Sequence, residues 1–113
     1  MMKGYDAQEA LTFILKGIDR KGHKALESKL DVLVSQMIDL DMEFMHKTGV
    51  IDENGEAGDN YYDDDEAFEY ILDAIVVKHK FNADMAMKAA SLLDDFTDLQ
   101  QAYMEAKGLV EWE

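Results

Sequence analysis

Two short runs of carboxylates are the residues best suited to chemistry in this chain. The first is Asp65-Glu66-Ala67-Phe68-Glu69, and the second is Asp95-Phe96-Thr97-Asp98. Asp65 and Glu66 lie four and three residues before Glu69, and Asp95 lies three before Asp98, so on a helix each run falls to one side. Carboxylate oxygens are hard ligands of the kind that Mg²⁺ takes. A third run, Glu43-Phe44-Met45-His46, has the Glu-x-x-His spacing of di-iron bundles. Such sites need a second copy, and the residue three before His79 is Val76. Asp39, Glu43 and His46 therefore read as an exposed polar stripe opposite the Leu30/Phe44 face.

The paired carboxylate runs resemble those of the all-α nucleoside triphosphate pyrophosphatases of the MazG type, which carry E-E-x-x-E on one helix and E-x-x-D on the next. That resemblance implies a Mg²⁺ cofactor held by Glu66, Glu69, Asp95 and Asp98 and a nucleoside triphosphate substrate. The chain departs from the pattern where Asp65 and Asp95 stand for glutamates, and Lys78 and Lys88 are the nearest cations to hold phosphate. On the helical wheel these acids fall to the side of their apolar stripes. The chain's own pattern therefore makes them a solvated face, with no cofactor and no catalytic residue expected; the Mg²⁺-dependent enzyme is the alternative.

Other chemistries have less to build on. There is no Cys, so thiolate ligands and disulfides are excluded. No serine lies in a Gly-x-Ser-x-Gly elbow, and no Gly-rich phosphate loop is present. His79, near the end of an expected helix, reads as a structural or helix-dipole residue. Measured from Asp52, the 49–62 stretch matches a Ca²⁺ loop only at Asn54 and Glu56. Ala57 stands at the bend and Asp63 at the closing position, so it reads as a solvated turn.

A formal charge of −14 bounds the partners. Nucleic-acid phosphate is repelled, whereas a basic protein is attracted. The charge is uneven: no Lys or Arg lies between Lys47 and Lys78, while Lys16, Arg20, Lys21, Lys24 and Lys29 gather near the first helix junction. No apolar run approaches the ~20 residues of a membrane span. The N-terminal MMKGYDAQEA has no apolar signal core, so a cytoplasmic location is expected. Apolar residues also fall off the expected core stripes: Phe13, Tyr70, Val77 and Met87 on helices, with Tyr61, Tyr62 and Trp112 outside them. Aromatics and Met are enriched at interfaces, which points to a protein partner or, most simply, a homodimer. Tyr61-Tyr62 before Asp63-Asp64-Asp65 is similar to the Tyr-Tyr pair beside acidic residues in the helical immunity proteins of nuclease colicins. The functional expectation is a small acidic interaction module without catalysis, binding a basic partner as an inhibitor or immunity protein does.

These residues need a scaffold, and the periodicity supplies one. Apolar residues are 48% of 113 residues, enough for a single domain with its own core. Lys24 to Thr48 carries Leu26, Leu30, Leu33, Met37, Leu40 and Phe44 at helical spacing, with Val34, Ile38 and Met45 beside them. Such a broad arc needs several packing partners. Gly49 stands where a left-handed C′ residue would end the helix. Helices are expected near 6–18, 24–48, 63–80 and 82–107, with Asp6, Asp63 and Asn82 as caps. The fold class is all-α, an antiparallel four-helix bundle with a long acidic loop between helices two and three. The expected core holds Leu30, Leu33, Met37, Phe44, Leu72, Ile75, Leu92 and Phe96. Asp41 breaks the pattern by falling inside the apolar arc. A place at a helix boundary, reaching solvent or a lysine, is the expectation; if buried, it must be hydrogen-bonded, paired or protonated.

Overall fold

The computed structural model describes residues 2–109. Helix α1 spans Ala7–Gly17, α2 Leu30–Thr48, α3 Asp64–His79 and α4 Ala83–Ala106, and a 3₁₀ segment at Arg20–Lys29 joins the first two. Among the described residues the only β-type pairing is an isolated bridge between Ile51 and Ala57. α1 and α3 each pack on α2 and α4, and α2 and α4 meet more sparingly between them. The whole measures 37 × 26 × 24 Å.

Local chemistry sets the helix starts. Asp6 accepts from the backbone N–H groups of Gln8 and Glu9, Asp63 from Glu66, and Asn82 from Met85. Each satisfies donors that the first turn would otherwise leave unpaired. Asp64, Asp65 and Glu66 then sit at the positive end of α3. α2 ends as its sequence indicates: Gly49 is left-handed at φ 77°, and the Val50 and Ile51 amides both return to the Met45 carbonyl.

The start of the second helix differs from the expectation. The α-helix begins at Leu30, and residues 20–29 wind as 3₁₀ turns broken at His23, whose φ/ψ is −124°/37°. His23 and Leu26, three apart, both turn inward, as one face of a three-residue turn allows. The spacing from Leu26 to Leu30 fits an α-helix equally well, so periodicity alone did not separate the two. Asp19 caps this segment by accepting from the Lys21 amide.

The core is continuous. Leu30, Leu33, Val34, Met37 and Ile38 of α2 pack with Ile71 and Ile75 of α3 and with Leu92, Leu93 and Phe96 of α4. Leu72, expected in the core, is only half-buried, and Ala67, Ile71 and Ile75 face inward in its place. Small Ala67 lets the start of α3 sit close to its neighbours. On α1 the buried residues are Ala10 and Ile14.

The 49–62 loop is tied down at both ends. Asp52 accepts from the amides of Asn54 and Glu56, Gly55 turns at φ 79°, and the Asn60 side chain donates to the Thr48 carbonyl at 2.6 Å. The N-terminal segment reaches the loop: the Lys3 amide donates to the Gly55 carbonyl, and Lys3 Nζ lies 3.2 Å from Glu56. Tyr103 of α4 donates to Glu9 of α1 at 3.0 Å, and Lys107 pairs with the same carboxylate at 2.7 Å.

Candidate functional site

Asp41 stands at the centre of the candidate site. It is 2% exposed, so the expectation that it reaches solvent or a lysine is corrected. Its partners are neutral. The Tyr62 hydroxyl donates to Oδ1 at 2.6 Å, and Gln100 Nε2 donates to Oδ2 at 3.1 Å. Gln100 in turn accepts from the Tyr5 hydroxyl at 2.5 Å. One chain of hydrogen bonds thus joins the N-terminal segment, α4, α2 and the end of the loop. Among the described residues no buried side-chain nitrogen or oxygen lacks a partner.

Burial pushes the Asp41 carboxyl above the usual aspartate range, and the bonds from Tyr62 and Gln100 oppose that rise. Burial also raises the Tyr62 phenol, and the Asp41 charge adds to it. Burial raises Tyr5 likewise. A phenol can donate or accept. If Asp41 takes a proton on Oδ1, the Tyr62 oxygen accepts it and turns its own proton outward, so the pair tolerates both charge states.

Asp41 opens onto a pocket of about 80 Å³. Val50, Phe68, Ile71, Phe96 and Met104 supply apolar wall, while Tyr62, Asp64, Thr97 and Gln101 supply its other polar groups. Among the described residues no Lys, Arg or His lines it. A buried acid with a raised pKa inside a mainly apolar pocket is the arrangement expected of a binding site.

A second polar pair lies elsewhere. His23 Nε2 sits 2.5 Å from Asp95 Oδ2 and is itself buried, joining the 3₁₀ segment to α4. Asp95 is therefore held by a histidine. Glu66, Glu69 and Asp98 are exposed. Among the described residues no three His, Asp or Glu side chains gather closely enough to hold a metal ion. His79, read as structural, donates to Gln36 at 2.6 Å and stacks on Phe81.

The residues singled out for partner binding fall into two groups. Tyr61 is 98% exposed, Val77 76% and Phe13 38%. Phe13 nevertheless touches Tyr103, with ring centres 5.7 Å apart. Tyr62 and Tyr70 are half-buried, both packed on Phe44, at 5.9 and 5.4 Å between ring centres. Tyr70, read as lying off the core stripe, is thus part of the packing around α2, with Lys47 over its outer face. Trp112 lies outside the described residues.

Gln100, Tyr5 and the His23–Asp95 pair were not singled out by sequence. Gln100 had a signal: it lies four residues after Phe96 and three before Tyr103, on the buried stripe of α4. Tyr5 had a weaker one, as an apolar residue just before the Asp6 cap. His23 and Asp95 are 72 residues apart and had none. Val32, 51% exposed on α2, is a further outward apolar residue. Among the described residues no helix is long and apolar enough to cross a membrane. Compared with protein-family profiles, with curated proteins and with solved structures, the chain matches none.

Proposed function

We propose that this protein is a non-catalytic acidic interaction module that binds a basic protein partner in the cytoplasm. Its binding face is the end of the 49–62 loop together with the first turn of α3. One observation carries the reading. Tyr61 stands almost wholly in solvent, two residues before the run Asp63, Asp64 and Asp65, in a stretch without Lys or Arg. An exposed aromatic ringed by like charge suits a partner with a basic surface, where the ring supplies contact area and the acids steer approach. We read the helices as an antiparallel bundle, with the loop and the start of α3 at one end. The basic group at Lys16, Arg20, Lys21 and Lys24 leaves a second copy of the chain as the simplest further partner.

A photo-crosslinking residue in place of Tyr61, expressed in the native host, tests this. The expected adduct is a protein with a basic surface. It should weaken with added salt and disappear when Asp63, Asp64 and Asp65 become Asn. Adducts indifferent to both changes, or equally abundant from a crosslinker at Lys24, would overturn the reading. Sedimentation at low and high salt tests self-association: a salt-sensitive dimer is expected, and a monomer at every salt concentration removes the second copy.

A further inference from the structure

The pocket over Asp41 has a charge and a size that together select a ligand class. Among the described residues its only charged lining groups are Asp41, buried, and Asp64, exposed. With no cation in the wall, a phosphate or carboxylate ligand would meet only repulsion. Among the described residues each Asp41 oxygen receives a single hydrogen bond, from Tyr62 or from Gln100. A carboxylate has about four lone-pair directions, so acceptor capacity remains on both oxygens. That remaining capacity calls for a donor, and a cationic donor would also offset the cost of holding a carboxylate away from water.

Size narrows the choice. An apolar cavity of about 150 Å³ takes one benzene, so 80 Å³ takes roughly half as many atoms. That is an ammonium nitrogen and about two carbons, with any longer stem reaching out towards solvent. A planar guanidinium needs several acceptors arranged around its fork; the pocket places one carboxylate in an apolar setting, which fits a compact ammonium better. The side walls, Phe68, Ile71, Phe96 and Met104, suit methylene groups.

We propose that the pocket over Asp41 binds a primary alkylammonium group, its nitrogen on the Asp41 carboxylate and its carbons between Phe68, Ile71, Phe96 and Met104. Two sources share this chemistry: a free small amine, and the end of a lysine side chain. The free-amine arm stands apart from the acidic-face reading. The lysine arm would add an anchor to it, because Tyr62 and Asp64 continue directly from Tyr61 and Asp63.

The test is an amide NMR titration of the full chain with n-butylamine, n-butanol and butyrate at matched ionic strength and pH. Saturable shifts around Asp41, Tyr62, Ile71 and Met104 are expected with butylamine alone. Asp41→Asn should weaken binding by about thirtyfold or more, as loss of a buried charge partner does. Because Asp41 is also structural, Val50→Phe is the second variant: it adds bulk at a half-buried lining residue, leaves the carboxylate in place and should abolish the same shifts. N-acetyl-lysine methylamide then assigns the source. Competition with butylamine points to a lysine side chain; failure to bind where butylamine binds points to a free amine. Equal response to butanol, no saturable response to butylamine, or undiminished butylamine binding in either variant would overturn the proposal.

Discussion

Asp41 of α2 and Gln100 of α4 meet at 3.1 Å in the middle of the molecule, although α2 and α4 touch each other far less than either touches α1 or α3. The contact is polar, and it adds a directional link between two helices that otherwise meet through the apolar core. Its strength depends on both donors that face the carboxylate. By sequence, replacing a buried Asp41 with Leu reads as neutral or stabilising, because an apolar side chain avoids desolvation. The observed partners reverse that sign. Asp41→Leu leaves the amide of Gln100 and the hydroxyl of Tyr62 without an acceptor, at ~1–3 kcal/mol for each buried group left unpaired. Tyr62 is half-exposed and can turn to water, so Gln100 dominates the loss. Urea melts should give a loss of about 2 kcal/mol or more for the Leu variant. Asp41→Asn should stay within about 1 kcal/mol of the wild type, because its oxygen accepts from Gln100 and its amide donates to Tyr62. A Leu variant as stable as the Asn variant would show that the hydrogen bonds contribute nothing.

The same residue sets a pH dependence. The folded Asp41 carboxyl holds its proton more tightly than an ordinary aspartate of pKa 3.8. The folded state therefore binds more protons than the unfolded chain as pH rises above that value. The contribution is full below the ordinary range and is lost as pH climbs through the raised, folded value, at up to ~1.4 kcal/mol per pH unit. Asp41→Asn lacks this loss. Its stability relative to wild type should grow with pH above about 4 and then level off. Asp64 faces Asp41 from α3 and reinforces the rise, and the Tyr62 phenol titrates only in strong alkali. A constant difference between the two melts at every pH would mean that Asp41 does not titrate abnormally.

What the sequence made legible follows from period and caps. The three capped helix starts at Asp6, Asp63 and Asn82 and the left-handed exit at Gly49 are local events, decided by residues within four positions of one another. The core of α2 was legible because eight apolar residues repeat over five turns. The 3₁₀ segment was not, since His23 and Leu26 satisfy either helix type and the choice is made by what they pack against. The polar centre was half legible. Asp41 stood out as a violation, but its partners Tyr62, Gln100 and Tyr5 come from three other parts of the chain, and no spacing within the sequence joins them.

His23 and Asp95 give a separate prediction. The imidazole is buried at the break in the 3₁₀ segment, and its carboxylate partner is partly exposed on α4. His23→Ala removes the bond and opens a cavity beside Leu26, so a loss of about 2–3 kcal/mol is expected. Asp95→Asn keeps an acceptor and should lose less, about 1 kcal/mol. Hydrogen exchange distinguishes local from global effects: amides of residues 20–29 should lose protection ahead of those in α2. Uniform loss of protection would place the pair in the global core instead.

The loop offers a geometric test. A side chain at Gly58 would run into the Gly49 carbonyl oxygen, and that oxygen belongs to backbone held by the helix end. Relief requires the loop to move away, breaking the Gly58 amide bond to the Val50 carbonyl and the Asn60 bond to Thr48. Gly58→Ala should therefore cost about 1–3 kcal/mol, with chemical-shift changes confined to residues 49–62. Gly58 is not in left-handed backbone, so the clash is the source of its cost. Gly108 is the opposite case, with nothing near its missing Cβ but φ at 69°: Gly108→Ala carries conformational strain without a clash and should leave residues 49–62 unshifted. A Gly58→Ala variant as stable as the wild type would show that the loop gives way freely.

The carboxylate runs on α3 and α4 separate the binding reading from the magnesium-dependent alternative. Glu66, Glu69 and Asp98 are exposed, and Asp95 is engaged by His23. Charges spread over an exposed face are screened by salt within about 8–10 Å at ordinary ionic strength. Four carboxylates converging on one point would instead repel strongly, and a divalent cation would stabilise the fold by its binding energy. Melts in EDTA and in millimolar Mg²⁺, at matched ionic strength, should therefore coincide. Glu69→Gln should leave both curves unchanged apart from a small rise from reduced repulsion. A Mg²⁺-specific increase in melting temperature that vanishes in Glu69→Gln, together with release of pyrophosphate from nucleoside triphosphates, would replace the interaction module with the enzyme. It would also require Asp95 to leave His23, which the His23 amide and ring resonances would report during the same titration.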